Sequence, residues 1–300
     1  MLWILSAFFS AICTSASALI SKQGLHRADS TLSTALRTFL VLFFALGMSA
    51  AAGSLPDIVS IDPYSLLFMS LSGISTAICS VCYYKAISLG SVTKVLPIEK
   101  SSILLVLLFA IFYFGENGHL TLKLFGVLLI LLGMPFLVAK DAPSELASSE
   151  TRGDHIEETK PHFYAFAFGA ALFASLNTIF SKIGIRGIES NLATFVNTVL
   201  ESLVLLLWVS LKGKWTKLRG IPREEWLAIL LSGLATGGSW ISYYYAVKMG
   251  PLSAVVPLNK LSVPFTALYS HFVLREHISK QSAAGLSLIT AGMLLVAVLS

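Results

Sequence analysis

Residues 83–102 read Tyr83-Tyr84-Lys-Ala86-Ile-Ser-Leu-Gly90-Ser-Val-Thr-Lys-Val-Leu-Pro97-Ile-Glu99-Lys100-Ser-Ser102. Residues 243–262 read Tyr243-Tyr244-Tyr-Ala246-Val-Lys-Met-Gly250-Pro-Leu-Ser-Ala-Val-Val-Pro257-Leu-Asn259-Lys260-Leu-Ser262. The second stretch is the first displaced by 160 positions, and the register holds well beyond it. Ser21, Lys22 and Gly24 meet Ser181, Lys182 and Gly184; Leu71-Ser72-Gly73 meets Leu231-Ser232-Gly233; Glu116 meets Glu276. After one skipped residue, Gly126, Gly133 and Met134 meet Gly285, Gly292 and Met293. An offset that stays constant over about a hundred residues marks an internal duplication.

The rest of the chain says where that duplication lives. Of 300 residues, 55% are hydrophobic and 12% charged, with a mean hydropathy of +0.79. Soluble domains are about 45–50% apolar and about 25% charged. Charge this sparse cannot cover a water-facing surface, which excludes a soluble globular enzyme, a disordered chain and a collagen-like fibre. Apolar runs fall at about 2–20, 34–53, 65–88, 92–114, 121–139, 162–181, 192–211, 226–249, 252–274 and 282–299. Each is near the roughly 20 residues that cross a bilayer as a helix. In lipid a helix satisfies its own backbone polar groups, and no strand-type alternation argues for a barrel. The expected fold is therefore an all-α membrane protein of ten transmembrane helices. The expected units are residues 1–140, a polar linker at 141–160, and residues 161–300, with five helices in each repeat. Five is odd, so the second copy enters the membrane inverted. Inverted repeats mark secondary transporters, in which one repeat rocks against the other around a shared midplane site.

Orientation follows from basic residues near the span ends. Connections after spans 1, 3, 5, 7 and 9 carry 14 of them, and those after spans 2, 4, 6 and 8 carry only Lys123, Lys182, Arg186 and Lys248. The heavier side is expected to be cytoplasmic, with the 141–160 linker, and both termini outside. The opening Met1-Leu-Trp-Ile-Leu has no basic region and reads as the start of a span, not a cleavable signal. The net charge of +5 belongs to these flanks, so nucleic acid is not an expected partner. The expected partners are a small-molecule solute and the lipid bilayer, and a homodimer is compatible with the reading. The expected location is the inner membrane.

Ionisable residues inside a span cost about 2.5–3.5 kcal/mol on insertion scales, so each needs a reason. Lys100 and Lys260 are repeat mates, each three residues after a proline, Pro97 or Pro257, with Pro264 a further break in span 9. Prolines remove backbone hydrogen bonds and kink helices, which at depth is tolerated against protein or water. The lysines are expected to bind an anionic group of a solute; the alternative is that they pair with Glu99, Glu201 or helix carbonyls. Glu99 and Asn259 hold matching positions beside them and break the symmetry, as an asymmetric substrate requires. Glu201, midway along span 7, is either a proton-coupling carboxylate or a lysine partner, and Glu99 shares the first of these roles. Arg37 reads as snorkelling to the interface. Asn177 and Asn197 line a cavity or bond neighbouring helices. Tyr84 and Tyr244, within Tyr83-Tyr84 and Tyr243-Tyr244-Tyr245, are interfacial or form a gate against a ring-bearing solute. Gly237-Gly238 suggests a flexible point in span 8.

Catalytic signatures are missing: no Gly-rich phosphate loop, no His-Glu-x-x-His and no Gly-x-Ser-x-Gly. The six His residues are scattered, and Cys13, Cys79 and Cys82 read as small packing residues. No cofactor, metal site or enzymatic activity is expected.

Two further marks carry a resemblance. Phe114-Gly115-Glu116 follows span 4, Leu274-Arg275-Glu276 follows span 9, and the next spans carry Gly126, Gly133 and Gly285, Gly292. With Tyr-Tyr-x-Ala-x-x-x-Gly before them, these resemble the EamA domain of the drug/metabolite transporter superfamily, present twice. Arg275 departs from the pattern where a glycine is usual. The resemblance implies a ten-helix inner-membrane carrier that exports amino acids, drugs or other metabolites. Leu258-Asn259-Lys260 is also similar to the Leu-Asn-Lys motif of nucleotide-sugar transporters, which implies substrate contacts at Asn259 and Lys260.

Overall fold

A computed structural model describes residues 2–24, 29–89, 95, 98–99, 101–116, 118, 120–138, 162–273 and 279–298. Among these are eleven α-helices and no strand. They are α1 (Leu2–Gly24), α2 (Ser30–Ala51), α3 (Pro63–Leu89), α4 (Ser102–Phe112), α5 (Leu120–Val138), α6 (Phe163–Gly184), α7 (Ser190–Leu211), α8 (Arg223–Met249), α9 (Leu252–Lys260), α10 (Ser262–Val273) and α11 (Lys280–Val298). Among the described residues span 9 is two helices, α9 and α10, interrupted at Leu261, where one was expected. Pro264 supplies the reason: it has no N–H for the Lys260 carbonyl, and its ring crowds that position. The helix runs on through Pro257 instead of breaking there. Pro97, Lys100 and the 141–160 linker lie outside the described residues.

Six helices, α1, α2, α3, α6, α7 and α11, are long and apolar enough to cross a membrane. α8 has the length, 27 residues, but its Ser232, Thr236, Ser239 and Ser242 dilute its apolar character. The side-chain distribution is that of a lipid-facing bundle. Phe112, Leu211 and Leu2 are more than two-thirds exposed, while Ser10, Ser72, Thr194 and Asn197 are fully buried. Outside water, apolar chains gain nothing from turning inward, and helices associate through small residues and hydrogen bonds.

The main contacts run between the halves. α3 packs along α6, α1 along α8, α5 on α11 and α2 across α7; α3 also meets α7, and α2 meets α8. The 160-residue offset turns each of these pairings into another of the set or into itself. The correspondence reaches single atoms. Gly73 lies against Asn197 O and Leu200 Cβ; Gly233 lies against Arg37 O and Leu40 Cβ, the same partners 160 positions earlier. Gly126 meets Gly292 and Gly133 meets Gly285, backbone against backbone. Helix starts repeat too. The Asp29 side chain accepts from the N–H groups of Thr31 and Leu32 to cap α2, and Glu189 accepts from those of Asn191 and Leu192 to cap α7.

Candidate functional site

The break at Leu261 leaves Asn259 and Lys260 in the last turn of α9. Lys260 Nζ stands 3.7 Å from Glu99 Oε1, with side-chain exposures of 22% and 13%. The repeats thus meet here through a cation from one and an anion from the other. Asn259, the repeat mate of Glu99, turns the other way: its Nδ2 donates to Ser10 Oγ at 2.7 Å. Ser10 is joined to Ser239 at 3.0 Å, and Thr14 to Ser239 at 2.6 Å. A hydroxyl-rich wall between α1 and α8 therefore abuts the end of α9. Among the sequence candidates, the structure brings Lys260, Glu99 and Asn259 to one junction.

The others form a second group. Ser72 Oγ donates to Asn177 Oδ1 at 2.6 Å and is joined to Ser181 at 2.7 Å, and Asn197 Nδ2 donates to Ser72 Oγ at 2.7 Å. Ser181 donates to the Tyr244 hydroxyl at 3.4 Å. Asn177 and Asn197 thus bond neighbouring helices. Tyr244 is 3% exposed and lies in the core shared by the halves, away from any interfacial belt. Tyr84 pairs with Thr34. Within each tyrosine pair the rings meet edge to face, at centroid distances of 5.7 and 6.0 Å.

Glu201 is 2% exposed, and its Oε2 has no hydrogen-bond partner. Arg37 Nη1 donates to Ser21 Oγ at 3.3 Å. Gly237 is a packing position, with the Phe44 ring against its Cα, inside the unbroken α8. Cys79 Sγ donates to the Ala170 carbonyl at 3.3 Å. Among the described residues no group of three or more His, Cys, Asp or Glu is arranged to hold a metal.

Several contacts escape a reading of the chain. Lys182 donates to the carbonyls of Val247 and Gly250 and so caps the end of α8, while Lys248 donates to the carbonyl of Ile188 in the connection between α6 and α7. The Glu116 carboxylate accepts from the N–H groups of Leu252 and Ser253 at 2.9 and 2.8 Å. The repetition of Glu116 as Glu276 was the available signal, but its partner lies in the other half of the chain.

A lipid-facing helical bundle of two interlocked repeats, with an ion pair and hydroxyls where they meet, is the build of a membrane carrier. The chain belongs to the EamA-like transporter family, whose model matches residues 1–139 and 163–298. It is a transporter, not an enzyme. It is 40% identical over 133 residues to an uncharacterized transporter in the cobO 3' region of Sinorhizobium sp., covering 44% of this chain and 94% of that one. It is 26% identical over 234 residues to an uncharacterized transporter of Methanothermobacter thermautotrophicus, covering 77% of this chain and 64% of that one. A crystal structure at 19% identity superposes with a TM-score of 0.73 over 99% of this chain and 96% of the other, a likeness of fold.

Proposed function

We propose that this transporter exports amino acids or related small anionic or zwitterionic metabolites. It does so by alternating access between inverted repeats, residues 1–140 and 161–300, in the inner membrane. The observation that carries the reading is the Lys260–Glu99 pair, 3.7 Å apart. A zwitterion presents a carboxylate and an ammonium at once. It exchanges with this pair without leaving either charge bare, the condition that makes a buried ion pair costly to split. Asn259, Ser10 and Thr14 supply neutral hydrogen bonds on one side only, which suits an asymmetric solute. Lys100, Tyr84, Tyr244 and Asn177 complete the proposed set of substrate-contacting residues. Glu201 is the proposed proton-coupling acid, supported by its burial and its unpartnered Oε2. A cationic drug would need Glu99 open, and Lys260 beside it weighs against that reading. The mechanism needs only one chain.

Charge supports the orientation. Trp3 packs on Gly250 and Val296 beside Gly126, so both termini lie at the end where α8 finishes. The opposite end carries Lys212, Lys214, Lys217, Arg219 and Arg223, while its repeat mate carries Asp57 and Asp62. The basic end is the proposed cytoplasmic face, and the termini are outside.

The test is counterflow of radiolabelled amino acids in vesicles reconstituted with the wild type, Lys260→Ala or Glu99→Gln. Loss of flux in both variants supports the site. Unchanged flux and affinity in both removes it.

A further inference from the structure

We infer that Glu116 is a positioning residue that clasps the two repeats at one face and, by gripping the start of α9, sets where Asn259 and Lys260 stand at its end. The inference rests on the alternating-access reading above.

The local sequence builds the clasp. Gly115 takes a left-handed φ of 68°, which a side chain would strain, and so turns the chain sharply after α4. The Glu116 N–H then donates back to the Ala110 carbonyl at 3.2 Å. The turn aims the Glu116 side chain across the repeat boundary. Each of its oxygens accepts one N–H from the first turn of α9, Leu252 on Oε1 and Ser253 on Oε2. Those donors have no partners inside the helix, and a carboxylate there also meets the positive end of the helix dipole. Lys123, 3% exposed, ties the knot: its Nζ donates to the Glu116 carbonyl at 3.0 Å and to Ser253 Oγ at 3.1 Å. The Gly-Glu pair after α4 thus has two jobs, one turning the chain and one reaching the other repeat.

The position of α9 gives the clasp its consequence. α9 has nine residues and is uncoupled from α10 at Leu261. Its pinned start and its site-bearing end are therefore about 12 Å apart on one short rod. Moving the pin moves Lys260 relative to Glu99. The other face carries a different tie between the repeats: Asp29 with Lys214 at 2.8 Å and Lys217 at 3.0 Å. All 27 residues of α8 separate the two. Alternating access opens one face while the other holds, so the Glu116 clasp must release when its own face opens.

The experiment reads that release without needing a solute. In a chain carrying Cys13→Ala, Cys79→Ala and Cys82→Ala, Leu252→Cys places a thiol at the clasp where the native side chain is fully buried. A membrane-impermeant maleimide is added to reconstituted vesicles. We expect Glu116→Ala to raise the labelling rate roughly tenfold and Glu116→Gln, which keeps one acceptor oxygen, by roughly threefold. We also expect counterflow velocity for radiolabelled amino acids to fall and the half-saturating concentration to rise severalfold in Glu116→Ala, because Asn259 and Lys260 are displaced, with a smaller rise in Glu116→Gln. Labelling at the parental rate in Glu116→Ala overturns the clasp; where the Ala variant does not fold, parental labelling in Glu116→Gln does so. Normal transport by Lys260→Ala would instead overturn the binding site and leave the labelling result to decide the clasp.

Discussion

The α1–α8 seam and the α3–α6 seam are one construction made twice, and they differ at one level. Along the first run Ser10, Thr14, Ser17, Ser232, Thr236 and Ser239. Their mates along the second are Ala170, Ala174, Asn177, Ser72, Thr76 and Cys79. Both seams carry a hydrogen bond in the same place: Ser239 Oγ donates to the Ser10 carbonyl at 3.0 Å, and Cys79 Sγ to the Ala170 carbonyl at 3.3 Å. At the level of Ser17 and Asn177 both are polar. Toward residues 259 and 99, one stays hydroxyl-lined and holds Asn259, while the other turns to alanine and cysteine and Glu99 faces Lys260 instead. Duplication fixes where side chains stand; divergence between the copies decides what they bind.

The comparison can be broken where the copies differ most. Lys260→Ala takes a cation away from Glu99, and we expect counterflow to fall by on the order of a hundredfold. Asn259→Ala, losing one neutral hydrogen bond to Ser10, should cost roughly fivefold. Equal losses would mean that the asymmetry between the mates does not matter.

Packing gives a sharper contrast. A Cβ on Gly73 would fall inside 3 Å of the Asn197 carbonyl and of Leu200, whereas one on Gly233 would meet Leu40 at 3.2 Å. Gly73→Ala should lower stability by about 2 kcal/mol. At Gly233 the helix propensity of alanine offsets a mild contact, and the change should stay within about 1 kcal/mol. Thermal unfolding in detergent compares the two; equal shifts would deny that the seams are packed differently.

The helix caps offer a smaller difference. Burial pushes the Asp29 carboxyl up, but the Lys214 and Lys217 ammonium groups outweigh it and hold the carboxyl at about 2, below its ordinary 3.8. A depressed folded value stabilises the native state fully above about pH 4, and that stabilisation is lost as pH falls from about 4 toward 2. Asp29→Asn should cost about 1 kcal/mol at neutral pH and nothing near pH 2. Glu189→Gln, at the mate without lysines, should cost less at neutral pH, and only the Asp29 effect should shrink in high salt. Smallest of all, Ser239→Cys copies the other seam and should change counterflow by less than about threefold.

Much of this was legible in the chain. The apolar runs and the constant offset give the helices and their pairing, because lipid makes each span satisfy its own backbone. Lys260, Glu99 and Asn259 stood out because charge and amide inside a span demand a reason. Glu116 did not, since an acid after a span end looks solvated until the other repeat supplies its two N–H groups. Pro257 and Pro264 both mark span 9 as a place to bend; the structure interrupts it at Leu261, where Pro264 withholds the needed donor, and lets the helix run on through Pro257.

The glycine crossings of α5 on α11 carry one more consequence. Gly126 touches Gly292, and Gly133 touches Gly285, so each repeat presents a notch that only the other fills. With the heaviest packing also running between repeats, neither half has a finished interior of its own. Severed at the linker, the chain would behave as two mutually dependent subunits, and each fragment should persist in a cell only when its counterpart is made alongside it.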